Sequence, residues 1–457
     1  MAKKQDTYNC TECGWTSVRW VGRCGECQAW GTVVERGAPR LRAVASSVPM
    51  QQAVPISQVP TDSAQRKLTT IAELDRVLGD GLVPGAVVLL AGEPGVGKST
   101  LLLDVAAKWA RSGEKTLYIS GEESASQVRL RAERTGAVDD ELYLASETDL
   151  GTVLGHMEQV RPSLLVLDSV QTISAADADG APGGPSQVRE ITAAIARVAK
   201  RENMAAIIVG HVTKDGGIAG PRTLEHLVDV VLTFEGDRHS GFRMVRATKN
   251  RYGPADEVGC FEMSENGIVE VPDPSGLFTT AHNEPVPGTC VTVTLEGRRP
   301  LLAEIQALIA PSPQSSPRRT THGLDGSRIA MVLAVLERKV RLPLSAHDVY
   351  ASTVGGARVT DPSADLAAAV AIASAALDRH YPKRLLALGE VGLAGDLRRV
   401  PGAERRLAEA GRLGFELALI PTGSRDVTAR VPKLGNLRVV EVPTLADALG
   451  VLDLRRP

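Results

Sequence analysis

Eight consecutive residues, Gly92, Glu93, Pro94, Gly95, Val96, Gly97, Lys98 and Ser99, carry the pattern G-x4-G-K-S between the apolar run "AVVLLA" and the helix-like "TLLLDVAAKWA". Glycines at this spacing let backbone N–H groups wrap a row of phosphates, the lysine neutralises β- and γ-oxygens, and the serine hydroxyl can hold magnesium. The stretch predicts a site for ATP with Mg2+. A second cluster, Cys10, Cys13, Cys24 and Cys27, is spaced C-x2-C-x10-C-x2-C. Two-residue spacers bring each thiolate pair to one tetrahedral ion, and so short a unit cannot fold on its apolar surface alone, so the quartet predicts structural zinc, Zn2+. Trp15, Trp20 and Trp30 lie in the same unit. They can complete a tiny core or offer a docking or stacking face, and the core reading is preferred. Cys260 and Cys290 have no partner spacing and read as ordinary residues.

Hydrolysis needs further groups. The run "LLVLD" ends in Asp168, and behind a phosphate loop a carboxylate at the end of a strand completes the magnesium shell with Ser99. Glu122 and Glu123 directly follow the strand-like "TLYIS", at the edge where ligands of open α/β sheets gather. Glu122 is the candidate for orienting or deprotonating water. The competing reading is that "GEESASQVRLRAER" opens a helix whose dipole favours acidic residues.

The elements that must position these residues are legible as a rhythm. From Leu68 to about Val271, the apolar runs "AVVLLAG", "TLYIS", "LLVLD", "AAIIVGH" and "VVLTF" alternate with amphipathic stretches, which predicts a parallel sheet with crossover helices. The fold class is therefore α/β, divided into a four-Cys finger at 1–36, a linker at 37–66, an ATPase domain at 67–275, a connecting segment that starts the C-terminal unit at 276–344, and a further α+β domain at 345–457. "APSPQSSPRRTTHG" breaks the pattern as a Pro/Ser loop, and "ADLAAAVAIASAAL" predicts a long helix. With 52 basic against 54 acidic residues, any DNA contact must be local rather than a basic coat. The chain has no 18-residue apolar run, and its start has no signal-like apolar stretch, so a cytoplasmic protein without a membrane partner is expected.

The four-Cys finger, "GEPGVGKS", "YISGEESASQVRLRAER", "LLVLDSVQT" and "KNRYG" together resemble the RadA (Sms) family of bacterial DNA-repair proteins, over essentially the whole chain. That family's diagnostic motif is Lys-Asn-Arg-Phe-Gly. Here it is Lys249, Asn250, Arg251, Tyr252 and Gly253, with an aromatic ring kept at the fourth place. The resemblance implies a core similar to RecA-type and DnaB-type ATPases, a homo-hexameric ring, and ATP held between neighbouring subunits. It assigns Lys249 and Arg251 to the neighbour's ATP, as an arginine finger, with contact to DNA as the competing role. It also implies that the loops at 174–187 and 214–226 hold single-stranded DNA. Aromatic residues are absent from both, so cations such as Lys214 and Arg222 and backbone amides would grip phosphates.

The C-terminal region resembles the proteolytic domain of Lon, which uses a serine with a lysine as base. Ser363 falls at the nucleophile's place, and Glu404 stands where the lysine should be. A carboxylate cannot supply that neutral amine, so peptidase activity is expected to be absent. Asp361 and Pro362 explain Ser363 equally well as part of a helix start. Arg398, Arg399, Arg405 and Arg406 could form an exposed basic face. The resemblance thus implies a DNA-dependent ATPase of recombinational repair that binds single-stranded DNA and branched intermediates and extends heteroduplex by branch migration alongside the RecA recombinase. The rivals are a non-motor ATP-dependent switch or scaffold, and an ATP-dependent serine protease.

Overall fold

The computed structural model describes residues 8–35, 54–58, 65–211, 224–236, 241–280, 286–381, 384–424 and 434–454. The chain divides into two units, Met1–Pro60 and Thr61–Pro457.

In the first unit, strands β1 (Tyr8–Cys10), β2 (Thr16–Ser17) and β3 (Val33–Glu35) form a three-stranded antiparallel sheet with β1 in the centre. Among the described residues its core is Cys10, Cys24 and Val33, with Tyr8, Trp15 and Val21 packed against them. The Trp15 ring covers Gly25 so closely that a β-carbon there would lie 2.9 Å from it.

The second unit holds two large sheets. The first contains β4 (Val87–Gly92), β5 (Thr116–Ser120), β6 (Leu142–Ser146), β7 (Leu164–Asp168), β8 (Ala205–His211), β9 (Val230–Gly236), β10 (Phe242–Asn250), β11 (Val258–Ser264) and β12 (Gly267–Glu270). Their order is β12-β11-β10-β9-β4-β8-β7-β5-β6, parallel from β9 to β6 and antiparallel from β9 to β12. All five apolar runs expected to be strands are strands. Each is buried on both faces because helices cover the sheet on both sides: α1 (Ala72–Leu78), α2 (Lys98–Arg111), α3 (Ala125–Thr135), α4 (Leu150–Val160) and α5 (Pro185–Arg201). The two-residue period sends Val88 and Leu90 to the face packed with Leu101, Leu102 and Val105 of α2, and Val87 and Leu89 to the face packed with Val188, Ile191 and Ile195 of α5.

The second sheet contains β13 (Thr289–Glu296), β14 (Arg299–Pro311), β15 (Arg319–His322), β16 (His347–Thr353), β17 (Leu385–Ala387), β20 (Leu417–Pro421) and β21 (Arg438–Val442), in the order β15-β16-β14-β13-β17-β20-β21. A separate hairpin pairs β18 (Glu390–Val391) with β19 (Leu397–Arg398). The stretch 310–323, expected as a loop, instead ends β14 and contains β15, because a parallel ladder to β16 satisfies the backbone of Arg319–His322. The Ala-rich helix is present as Asp365–Leu377 and is buried almost throughout, the small side chains allowing close approach to the sheet. Arg299, at the start of β14, ties the two sheets together: its buried guanidinium pairs with buried Glu73 of α1 and donates to the carbonyls of Val258 at 3.1 Å and Pro272 at 2.8 Å.

Candidate nucleotide site and metal cluster

The phosphate loop springs from the carboxyl end of β4 and runs into α2. Gly97, at φ 112°, is the N-cap of α2 and provides no side-chain cap. A β-carbon on Gly97 would meet the Met263 sulfur at 2.9 Å, so both its backbone angle and its surroundings require glycine. Other helices on this edge are capped: Ser124 and Gln127 form a reciprocal capping box on α3, and Asp149 caps α4. The first turn of α2 thus keeps its N–H donors for an anion, which is the condition for phosphate binding. Buried Arg243 of β10 steadies the loop by donating from Nε to the Val96 carbonyl at 3.1 Å.

Lys98 is buried, and its Nζ donates to the carbonyls of Gly92 and Glu93, both at 2.9 Å, and lies 3.3 Å from Nδ1 of His211. Burial pulls its pKa down, opposed by the charges of Asp168 and Glu122. On the far side of the imidazole, His211 Nε2 is 2.8 Å from Glu122 Oε1. That oxygen also accepts from the Ser169 hydroxyl at 2.6 Å. The hydrogen bond from His211, reinforced by Ser169, holds the Glu122 carboxyl down to about 2, so it is ionised at neutral pH. With the Lys98 ammonium as a donor on one side and a carboxylate on the other, His211 is set as the tautomer protonated at Nε2. The neighbouring acid differs: Glu123 forms an ion pair with Arg131 of α3 at 2.7 Å and serves the start of that helix.

Asp168 ends β7 on the same edge. Its Oδ2 accepts from the buried Tyr118 hydroxyl at 2.7 Å, while Oδ1 is buried without a hydrogen-bond partner. A buried carboxylate oxygen left unpaired is costly unless something fills its place, and with Ser99 in the first turn of α2 this donor set fits magnesium. His211 escaped the sequence reading. Its signal was positional: it ends "AAIIVGH", the strand paired with β4, and lies opposite Gly92 in the ladder.

Lys249 and Arg251 are placed elsewhere. Lys249 pairs with Val231 and Val231 with Leu89, while Arg251 reaches Asp229, whose amide bonds the Val87 carbonyl at 2.9 Å. Val87 begins β4 and Gly92 ends it, so five residues of strand, about 16 Å, separate the level of Arg251 from the root of the phosphate loop. Lys249 Nζ donates to the carbonyls of Glu225 and, at 2.8 Å, Val228; burial, with Arg251 beside it, lowers its pKa. Arg251 pairs with Asp229 at 2.9 Å and remains half exposed. Asn250 donates to the Leu78 carbonyl at 3.0 Å and accepts from the Tyr252 amide at 2.9 Å. A β-carbon on Gly253 would lie 3.1 Å from the Gly79 backbone, so the motif is clamped against the end of α1. Of the residues expected to hold DNA, Lys214 and Arg222 lie outside the described residues.

In the ribbon, the sulfurs of Cys10, Cys13, Cys24 and Cys27 all lie within 4.8 Å of one another, with Cys10–Cys27 at 3.6 Å and Cys13–Cys24 at 3.5 Å. Tetrahedral zinc thiolates at Zn–S of about 2.3 Å imply sulfur separations near 3.8 Å, so the quartet fits zinc. Cys260 and Cys290 are the opposite case: burial pushes both thiols up to about 12 and makes them inert.

Residues 8–35 match a family model described as a rubredoxin metal binding domain, and residues 53–217 match one described as an AAA domain. A protein named DNA repair protein RadA from Mycolicibacterium smegmatis is 55% identical over 449 residues, covering 96% of each chain. Its namesake from Mycobacterium tuberculosis is 56% identical over 435 residues, covering 93% of this chain and 90% of its own. A third, from Streptococcus pyogenes, is 44% identical over 455 residues, covering 99% of this chain and all of its own. The chain belongs to the RadA family of DNA repair proteins. As a RadA-family protein it combines an AAA-type P-loop ATPase domain with a zinc ribbon.

Two expectations for this RadA-family chain need correction. Arg406 is not part of an exposed basic face. It is 2% exposed, donates to Ser363 Oγ at 2.7 Å and to the Val293 carbonyl, and pairs with Asp361. Arg398, Arg399 and Arg405 are exposed, as expected. The group touching the serine is therefore a guanidinium, which cannot lose a proton to act as a base, and Ser363 itself is fully buried. Asp361 caps the turn Pro362–Ala364 through the Ser363 amide at 3.0 Å. The preferred core reading of the tryptophans holds for Trp15 alone: Trp20 is 64% and Trp30 75% exposed, because the ribbon is too small to enclose three indoles. Among the described residues no helix is long and apolar enough to cross a membrane.

Proposed function

We propose that this protein is a ring-forming, DNA-dependent ATPase that works on single-stranded DNA and branched recombination intermediates, extending heteroduplex alongside the RecA recombinase. In this reading Lys98 and the loop Gly92–Ser99 take the phosphates of ATP, and Ser99 with Asp168 holds Mg2+, which supplies charge neutralisation at the phosphates when bound. Glu122 orients the attacking water. Its low basicity suits a residue that positions water better than one that removes its proton. His211 joins Lys98 to Glu122, so drawing Lys98 toward phosphate alters the bond that restrains Glu122.

Lys249 and Arg251 act on a second subunit. The observation that carries this part is their position: about 16 Å of strand separates the level of Arg251 from the root of the phosphate loop in the same chain. A cation pair so placed serves another molecule, and an ATP held by a neighbour gives it the work of an arginine finger. The domain frame we propose keeps the ribbon, linker and ATPase domain at 1–36, 37–66 and 67–275, the connecting and starting segment at 276–344, and a peptidase-inactive assembly domain at 345–457.

The experiment is ATP turnover with and without single-stranded DNA, for wild type, Lys98→Ala and Arg251→Ala. Acceleration by DNA that both substitutions abolish supports the motor. An oligomeric, zinc-loaded wild type whose rate ignores DNA would replace it with an ATP-dependent switch.

A further inference from the structure

The ribbon leaves its two best contact residues outside its core. Trp20 and Trp30 converge on Gly22, where a β-carbon would lie 3.7 Å from Cη2 of Trp20 and 3.9 Å from Cζ3 of Trp30. The ring ends thus flank one backbone position with no side chain between them. The segments that carry them are tied together: Arg23 and Trp30 form an antiparallel bridge, and the Gly31 amide donates to the Gly22 carbonyl at 2.9 Å. The preceding turn is closed by the Ser17 hydroxyl, which donates to the Arg19 carbonyl at 2.7 Å and accepts from the Arg19 amide at 3.1 Å. The guanidinium of Arg23 lies 5.6 Å from the Trp30 ring centre and is held there by its Nε bond to the Gln28 carbonyl at 3.0 Å.

We propose that Trp20 and Trp30, with Arg19 and Arg23, form a stacking platform for the bases of single-stranded DNA. The proposal rests on the DNA-dependent reading above and assigns the ribbon a part in it. Charge complementarity selects this occupant. Among the described ribbon residues, the cations are Arg19 and Arg23, both exposed and both on the turn that carries Trp20, whereas the three acids lie elsewhere, Glu12 and Glu26 in the two metal knuckles and Glu35 at the end of β3. Indole faces stack on any base, adjacent guanidinium groups meet the phosphates, and a backbone tied in place spends little entropy on binding. A stable protein partner generally asks for about 800 Å2 on each side around an apolar centre. Beside these rings the turn presents little further apolar surface than Val18.

The test uses the full-length, zinc-loaded protein as wild type, Trp20→Ala/Trp30→Ala and Trp20→Tyr/Trp30→Tyr. Affinity for a labelled oligothymidylate is measured by anisotropy across a salt series, beside zinc content and ATP turnover without DNA. The alanine pair is expected to lose roughly tenfold or more in affinity with the salt slope unchanged, because the arginines remain. The tyrosine pair should regain most of the loss, and zinc content and DNA-free turnover should match wild type. An alanine pair that keeps zinc and binds the oligonucleotide as wild type does overturns the platform and leaves the motor reading standing. If that pair binds DNA normally but no longer co-sediments with recombinase filaments, the surface belongs to a protein partner and the proposal fails. A wild type that does not bind the oligonucleotide overturns both readings.

Discussion

Lys98 and Arg406 are both buried cations, and their surroundings are built to opposite ends. Around Lys98 the arrangement is unfinished: the ammonium leans on carbonyls of its own loop, Asp168 keeps an unpaired buried oxygen, and α2 starts without a side-chain cap. Around Arg406 it is complete, since the guanidinium meets Ser363, Asp361 and the Val293 carbonyl inside a closed core. The difference teaches how to separate a working site from a structural one that occupies an enzyme-like position. A site awaiting a ligand leaves polar groups whose partners come from outside, whereas a structural cluster satisfies itself.

The comparison can be broken most forcefully at Lys98. Lys98→Ala should abolish ATP turnover while thermal unfolding of the nucleotide-free protein stays close to wild type, because the donor lost by two loop carbonyls and His211 Nδ1 is offset by no longer burying the ammonium. Next in size, Arg251→Ala should lower DNA-stimulated turnover by roughly a thousandfold. Mixing Arg251→Ala with Lys98→Ala subunits should restore part of the activity, since wild-type loops then meet wild-type fingers; mixtures that stay dead would point the pair toward DNA.

On the structural side, Arg406→Ala should cost about 3–5 kcal/mol in unfolding experiments by stranding Asp361. Ser363→Ala should cost only about 1–2 kcal/mol. Neither serine nor alanine at position 363 should support cleavage of an unfolded substrate, and cleavage by wild type that Ser363→Ala removes would reverse the assignment.

The smallest effect concerns pH. The Glu122 carboxyl is held down to about 2, below the ordinary glutamate range, so the stability it contributes is present above roughly pH 4 and is lost as pH falls toward 2. Acid unfolding of Glu122→Gln should lack that component, and an unchanged acid profile would show that the His211 and Ser169 bonds contribute little.

Sequence by itself determined what depends on local spacing. Cys10 to Cys27 and Gly92 to Ser99 are chemistry written in neighbouring residues, and the buried strands are apolar runs whose ends locate Asp168 and Glu122 on the ligand edge. Tertiary structure decided everything that depends on pairing distant segments. His211 stands 113 residues from Lys98 and reaches it only because β8 pairs with β4. The edge occupied by Lys249 and Arg251 follows from the antiparallel turn of β10 on β9. Glu404 and Arg406 are two places apart on the helix Ala403–Arg412, about 200° around its axis, so matching the chain to a protease pattern identified the helix but not the side chain that faces the serine. The tryptophans show the same limit from another cause. Composition says that indoles prefer burial, but only the assembled ribbon reveals that its small core has room for Trp15 and leaves Trp20 and Trp30 to solvent.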